Sequence, residues 1–143
     1  MRVLVLHGPN LNLLGEREPE LYGRQRLDEV NERIVREAPD GFDVICEQCS
    51  GEGAIVDALH AARNEYAGVV INPGAYAHYS YAIADAIAAI RIPVVEVHLS
   101  NVASREAFRR TSVTASACRG VISGLGAGGY VLALRALAEI LAQ

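Results

Sequence analysis

Lysine is missing from this chain altogether, since all 13 of its basic residues are arginines. Without an ε-amino group there is no Schiff base with a carbonyl substrate, no anchor for pyridoxal phosphate and no Gly-Lys-Ser/Thr phosphate loop. Tryptophan is also missing, and the remaining aromatics make up 6% of residues. Three cysteines, Cys46, Cys49 and Cys118, are too few and too odd for a disulfide framework and fit a reducing compartment. Cys46-Glu47-Gln48-Cys49 has redox-motif spacing, but it falls within a strand pattern rather than at a helix N-terminus. No apolar run reaches the roughly 18 residues of a membrane span. Met1 leads straight into Val3-Leu4-Val5-Leu6 without the pattern of a secretory leader, so a cytoplasmic protein is expected. A net charge of −4 gives no general attraction to nucleic acid or to an anionic membrane. Any anionic ligand must be gripped locally.

What is present reads as one domain spanning residues 1–143, with 51% hydrophobic residues. Short β-branched runs alternate with helical patterns about a dozen residues long, as in βαβ units around a parallel sheet. The spacing predicts strands at Arg2 to His7, Phe42 to Glu47, Gly68 to Asn72, Val94 to His98 and Gly120 to Gly124. Helices are expected at about Leu27 to Ala38, Gly53 to Glu65, Ser80 to Ile90 and Gly129 to Leu141. Pro39-Asp40-Gly41 stops the first of these helices. The expected fold is α/β, a flavodoxin-like three-layer sandwich with a five-stranded parallel sheet.

Open parallel sheets bind ligands beyond the carboxyl ends of their strands, and the unusual polar residues collect there. His7 and Asn10 follow the first strand, Gln48 and Ser50 the second, Asn72 and His78 the third, and His98, Ser100 and Asn101 the fourth. The segment from His7 to Gly23 is rich in turn formers and delays the first helix, and residues 15–26, which overlap its end, read as an active-site lid. On spacing alone, Tyr22 reads sooner as a packing aromatic and Asn10 as a turn residue, while His98 is equally a cap for its turn.

The same segment, Gly8-Pro9-Asn10-Leu11-Asn12 through Arg17, Pro19 and Tyr22-Gly23, resembles the first signature of the type II 3-dehydroquinate dehydratases. Further resemblance runs in order along the chain. It lies in Ile71-Asn72-Pro73-Gly74-Ala75-Tyr76-Ala77-His78, in Pro93-Val94-Val95-Glu96-Val97-His98-Leu99-Ser100-Asn101, in Arg105-Glu106-x-Phe108-Arg109, and in Gly124-Leu125-Gly126-x-x-Gly129-Tyr130. The resemblance implies anti elimination of water from 3-dehydroquinate through an enolate, giving 3-dehydroshikimate, with no cofactor and no metal. It also implies a homo-oligomer, a dodecamer built as a tetramer of trimers.

Such a reaction needs a base, a stabilised enolate oxygen and an acid for the leaving hydroxyl. The resemblance assigns Tyr22 as the base and Arg17 as its activator. A phenol of pKa about 10 is only about 0.1% ionised at neutral pH, and an adjacent guanidinium could lower that pKa by roughly 1 to 3 units. Asn10 would serve the enolate oxygen. His98 would be the acid, paired with Glu96 two residues earlier, because alternate strand residues face one side and a carboxylate favours the protonated imidazole. Leu99 and Ser100 correspond to the grip on the substrate carboxylate, and Asn72, His78 and Arg109 to contacts with ring hydroxyls. Arg105 matches a further active-site arginine, and Asp85 an aspartate that reaches a neighbouring subunit's site.

The chain departs from the family pattern at His7, where Asn is usual, at Ala103, and at Arg110-Thr111-Ser112-Val113. Three rival readings compete with the dehydratase, one of them a non-catalytic oligomeric scaffold, against which the presence of Tyr22, Arg17 and His98 together argues. Gly124 to Gly129 suggests a nucleotide or flavin module, but it follows the last strand rather than the first. His7, His78 and His98 suggest a metal hydrolase, but no pair has helical metal-ligand spacing.

Overall fold

The computed structural model describes all residues, 1–143. Five strands, β1 (Arg2–His7), β2 (Asp43–Gln48), β3 (Gly68–Asn72), β4 (Val94–His98) and β5 (Gly120–Ser123), form one parallel sheet in the order β2-β1-β3-β4-β5. The helices are α1 (Pro19–Tyr22), α2 (Leu27–Arg36), α3 (Glu52–Glu65), α4 (Tyr81–Ile90) and α5 (Gly128–Leu141). This is the expected flavodoxin-like order, and its direction reverses between β1 and β3.

The period-two side-chain alternation of a strand sorts the core into two clusters. Val3 and Val5 of β1, with Val70, Val95 and Val97, pack beneath α2 and α5 through Ile34, Leu134 and Leu137. Leu4 and Leu6, with Val69, Ile71 and Val94, pack on the other face beneath α3 and α4 through Ile55, Leu59 and Ile87. A sheet covered on both faces needs apolar side chains at successive positions, which is why β1, β3 and β4 read as continuous runs. At the sheet's edge β5 pairs only with β4, and Val121 is left exposed there.

Element ends differ from expectation by a residue or two, each for a local reason. β2 starts at Asp43 rather than Phe42, because the Phe42 N–H is already used in a turn to Pro39 O. It continues to Gln48, which pairs with His7. α2 stops at Arg36 rather than Ala38, as the residue before Pro39 is steered away from helical angles. Ser80 is the cap of α4 rather than its first residue, and its hydroxyl accepts from Ile83 N at 3.1 Å. Gly128 joins α5, and β5 ends at Ser123 because Gly124 turns the chain at φ 90°. The expected lid, 15–26, is not all loop. It holds the one-turn helix α1, started by Pro19, whose missing N–H costs nothing at a helix's first position.

Gly8 brings the ends of β1 and β3 together. Its N–H donates to Asn72 O at 2.7 Å, and a Cβ there would lie 2.7 Å from the Pro73 carbonyl carbon. No helix is long and apolar enough to cross a membrane.

Candidate active site

The reversal between β1 and β3 opens a cavity at the carboxyl ends of the strands. Asn10, Arg17, Tyr22, Asn72, His78, His98, Leu99, Ser100, Arg105 and Arg109, all expected in the site, line it together. Its wall contains three arginines and no carboxylate, in a chain whose net charge is −4. The cavity is therefore locally cationic, and the Arg105 Nε is buried there without a hydrogen-bond partner.

α1 presents Tyr22 to one side of the cavity. Its ring is clasped between two guanidinium groups, with the Arg17 carbon 4.7 Å and the Arg105 carbon 5.2 Å from the ring centroid. Arg105 also donates through Nη1 to the Ser100 hydroxyl at 3.1 Å, tying the lid to the loop after β4. Asn10 adopts the left-handed region at φ 69°, which Asn tolerates, so its role as a turn former and its place in the cavity wall coexist.

The end of β4 supplies another part of the wall through His98. His98 Nε2 donates to Glu96 Oε2 at 2.8 Å, the contact that their i, i+2 spacing implies. Glu96 is fully buried and absent from the cavity wall, so it acts on His98 rather than on anything in the cavity. Ser112 Oγ donates to Glu96 Oε2 at 2.8 Å, and the Thr114 hydroxyl donates to Oε1. Burial pushes the Glu96 carboxyl up. The hydrogen bond and charge of His98, with the bonds from Thr114 and Ser112, outweigh that and hold it below its ordinary range. An ionised Glu96 fixes the proton of His98 on Nε2 and leaves Nδ1 as the other ring nitrogen. His78 stacks on His98 with centroids 6.1 Å apart, its Nδ1–H donating to Thr111 O at 2.8 Å. Arg109 is paired with Glu106.

Several supporting residues escaped the sequence reading. Ser112 lies in the stretch that departs from the family pattern and Thr114 just after it, and their spacing from Glu96 gives no signal. Tyr130 was part of a motif without a role, and here its hydroxyl sits behind Asn72. Asp85 is exposed on α4 and lines no part of this cavity. The rival readings lose their geometry. The Gly124–Gly128 turn braces the site loop, with Gly124 N donating to His98 O at 3.2 Å and Gly126 N to Leu99 O at 3.0 Å. No three metal-ligating side chains gather anywhere in the chain. Burial pushes the Cys46 thiol up to about 11, opposite to the shift a redox thiolate requires.

Comparison with known proteins agrees with this arrangement along the whole chain. Residues 1–138 match the family described as Dehydroquinase class II. The 3-dehydroquinate dehydratase of Pelotomaculum thermopropionicum is 53% identical over 141 residues, covering 98% of each chain. That of Halalkalibacterium halodurans is 54% identical over 138 residues, covering 96% of this chain and 95% of the relative. The crystal structure of the type II dehydroquinase from Butyrivibrio crossotus superposes with a TM-score of 0.93 at 45% identity, covering 96% of this chain and 97% of the other. With one fold, one set of motifs in order and near-complete coverage on both sides, the chain belongs to the class II dehydroquinase family.

Proposed function

We propose that this chain dehydrates 3-dehydroquinate to 3-dehydroshikimate by anti elimination through an enolate. The observation that carries the reading is the cavity itself: a phenol with two guanidinium groups over its ring and a carboxylate-tethered imidazole share one cationic, acid-free wall. A carboxylate substrate suits that wall, and the pairing supplies one proton acceptor and one proton donor on different elements.

In this mechanism Tyr22, as phenolate, takes the proton from the carbon next to the ketone. The electron pair moves onto the ketone oxygen, where Asn10 stabilises the enolate. Collapse of the enolate forms the new carbon–carbon double bond and expels the hydroxyl from the adjoining carbon. His98 protonates that hydroxyl as it leaves as water, with Glu96 compensating the imidazolium charge before the transfer. Arg17 and Arg105, whose guanidinium groups lie over the ring, place positive charge beside Tyr22 as it acts. Leu99 and Ser100 grip the substrate carboxylate with the free Arg105 Nε nearby, and Asn72, His78 and Arg109 address the ring hydroxyls. The segment 15–26, carrying Arg17 and Tyr22, acts as the lid that commits the substrate. The protein's own residues supply every step, so the reading needs no cofactor or metal.

We further propose a homo-oligomer built from trimers, a dodecamer in full, in which Asp85 reaches the neighbouring subunit's cavity. Tyr81 and Asp85 stand one helical turn apart on the exposed side of α4, and 70% of Tyr81 is solvent-accessible in the isolated chain. Three free cysteines suit the reducing cytoplasm as its location. Adding the purified chain to 3-dehydroquinate in the presence of a chelator tests the activity. The near-ultraviolet absorbance of a conjugated enone acid should rise, and a flat trace would overturn the proposal.

A further inference from the structure

His7, Tyr130, Asn72 and Asn31 form a polar chain behind the cavity, and its hydrogen count runs in one direction only. Register places His7 beside Asn72 at the ends of β1 and β3, and alternation turns both toward α2 and α5. Tyr130, fully buried in the first turn of α5, reaches between them. Its hydroxyl is 2.9 Å from His7 Nδ1 and 3.1 Å from Asn72 Nδ2, and the rings of His7 and Tyr130 meet edge to face at 5.0 Å. On the far side, His7 Nε2 lies 2.8 Å from Asn31 Oδ1 on α2.

The Gly74 backbone N–H sets the direction. It can only donate, and it does so to Asn72 Oδ1 at 3.1 Å, so the Asn72 amide nitrogen must face Tyr130. The Tyr130 oxygen accepts from that nitrogen and sends its single hydrogen to His7 Nδ1. His7 then carries its proton on Nε2 and donates to Asn31 Oδ1. A second proton on His7 would leave the Tyr130 hydrogen without an acceptor, so the chain requires the neutral ring. One Nδ2–H of Asn72 is spent on Tyr130, and Asn72 also lines the cavity, where its second Nδ2–H is available to a ligand oxygen.

We propose that His7 is a positioning residue that acts through Tyr130 to aim the amide of Asn72 at a substrate hydroxyl or carbonyl oxygen. His7 does not line the cavity, so its effect passes entirely through Asn72. The inference rests on the dehydratase reading for its kinetic consequence, while the hydrogen-bond direction stands apart from it.

Nitrogen-15 NMR of the wild-type protein at neutral pH tests the direction without any assay: His7 should be the neutral tautomer protonated on Nε2. The tautomer protonated on Nδ1, or a charged ring, would overturn the proposal even if the protein is an active dehydratase. Kinetics test the consequence. His7→Phe keeps ring packing and should raise KM for 3-dehydroquinate roughly tenfold, with kcat changing less than about threefold. Tyr130→Phe, the smaller change, should do the same if His7→Phe folds poorly. In an Asn72→Ala background, His7→Phe should have no further effect on KM. Unchanged KM in both single variants, or a full additional effect in the double variant, would contradict the relay. A wild-type protein inert toward 3-dehydroquinate would overturn the dehydratase reading instead, leaving the NMR result to judge the relay.

Discussion

The environment of Glu96 illustrates what single residues decide. Three donors converge on one fully buried carboxylate, so removing any of them strands an acceptor in the core. Thr114→Val should cost about 1–3 kcal/mol of stability, read by urea denaturation, and lower kcat more than it changes KM because Glu96, which orients His98, loses one of its two hydroxyl donors. The His98–Glu96 pair was legible in the sequence because side chains two apart on a strand share a face. Ser112 and Thr114 were not, since a loop carries them back from 16 and 18 residues away and no periodicity encodes that return. His7 stood out only as a departure from a pattern. Its partners Asn31 and Tyr130 lie on two helices that meet it only once the layers have packed.

Among the elements, the alternation of strands and helices could be read because β1, β3 and β4 are apolar on both faces while the helices between them carry a helical period. Boundaries followed local chemistry: Pro39 ends α2, and Ser80 caps α4. Ser80→Ala should lower stability by about 1 kcal/mol through the lost bond to Ile83 N, visible as a reduced denaturant midpoint with kcat unchanged. The helix α1 was hidden because four residues are too few to carry a period, yet it is the element that presents Tyr22. Arg17→Gln removes one half of the clasp on the Tyr22 ring. At a fixed neutral pH kcat should fall roughly tenfold or more with KM changed less, and a wild-type kcat would remove Arg17 from the activation of Tyr22.

For the whole molecule, the parallel α/β class was readable from pattern and the rim of the sheet from its polar residues. What assembles around the single chain was not, because an exposed Tyr81 or Asp85 carries no periodicity pointing to a partner. The trimer proposal predicts that Asp85→Asn loses activity while a 1:1 mixture with an otherwise inactive Tyr22→Phe chain recovers part of it after subunit exchange. Stability should also depend on pH in a defined direction. Burial lowers His7 from 6.5 to about 4 against the pull of its bond to Asn31, and Glu96 also lies below its ordinary range. Both lowered groups contribute stability that is complete above their unfolded values and lost as pH falls through the folded ones. Unfolding free energy should therefore decline from pH 6.5 toward about 4, with His7 responsible for about 3 kcal/mol of it, followed at lower pH by the loss from Glu96. The central claim is that the guanidinium-flanked Tyr22 takes the proton. Turnover of 3-dehydroquinate by Tyr22→Phe, set beside calorimetric substrate binding, tests it most directly: kcat should fall by roughly a hundredfold or more with binding retained, whereas wild-type turnover would contradict the account.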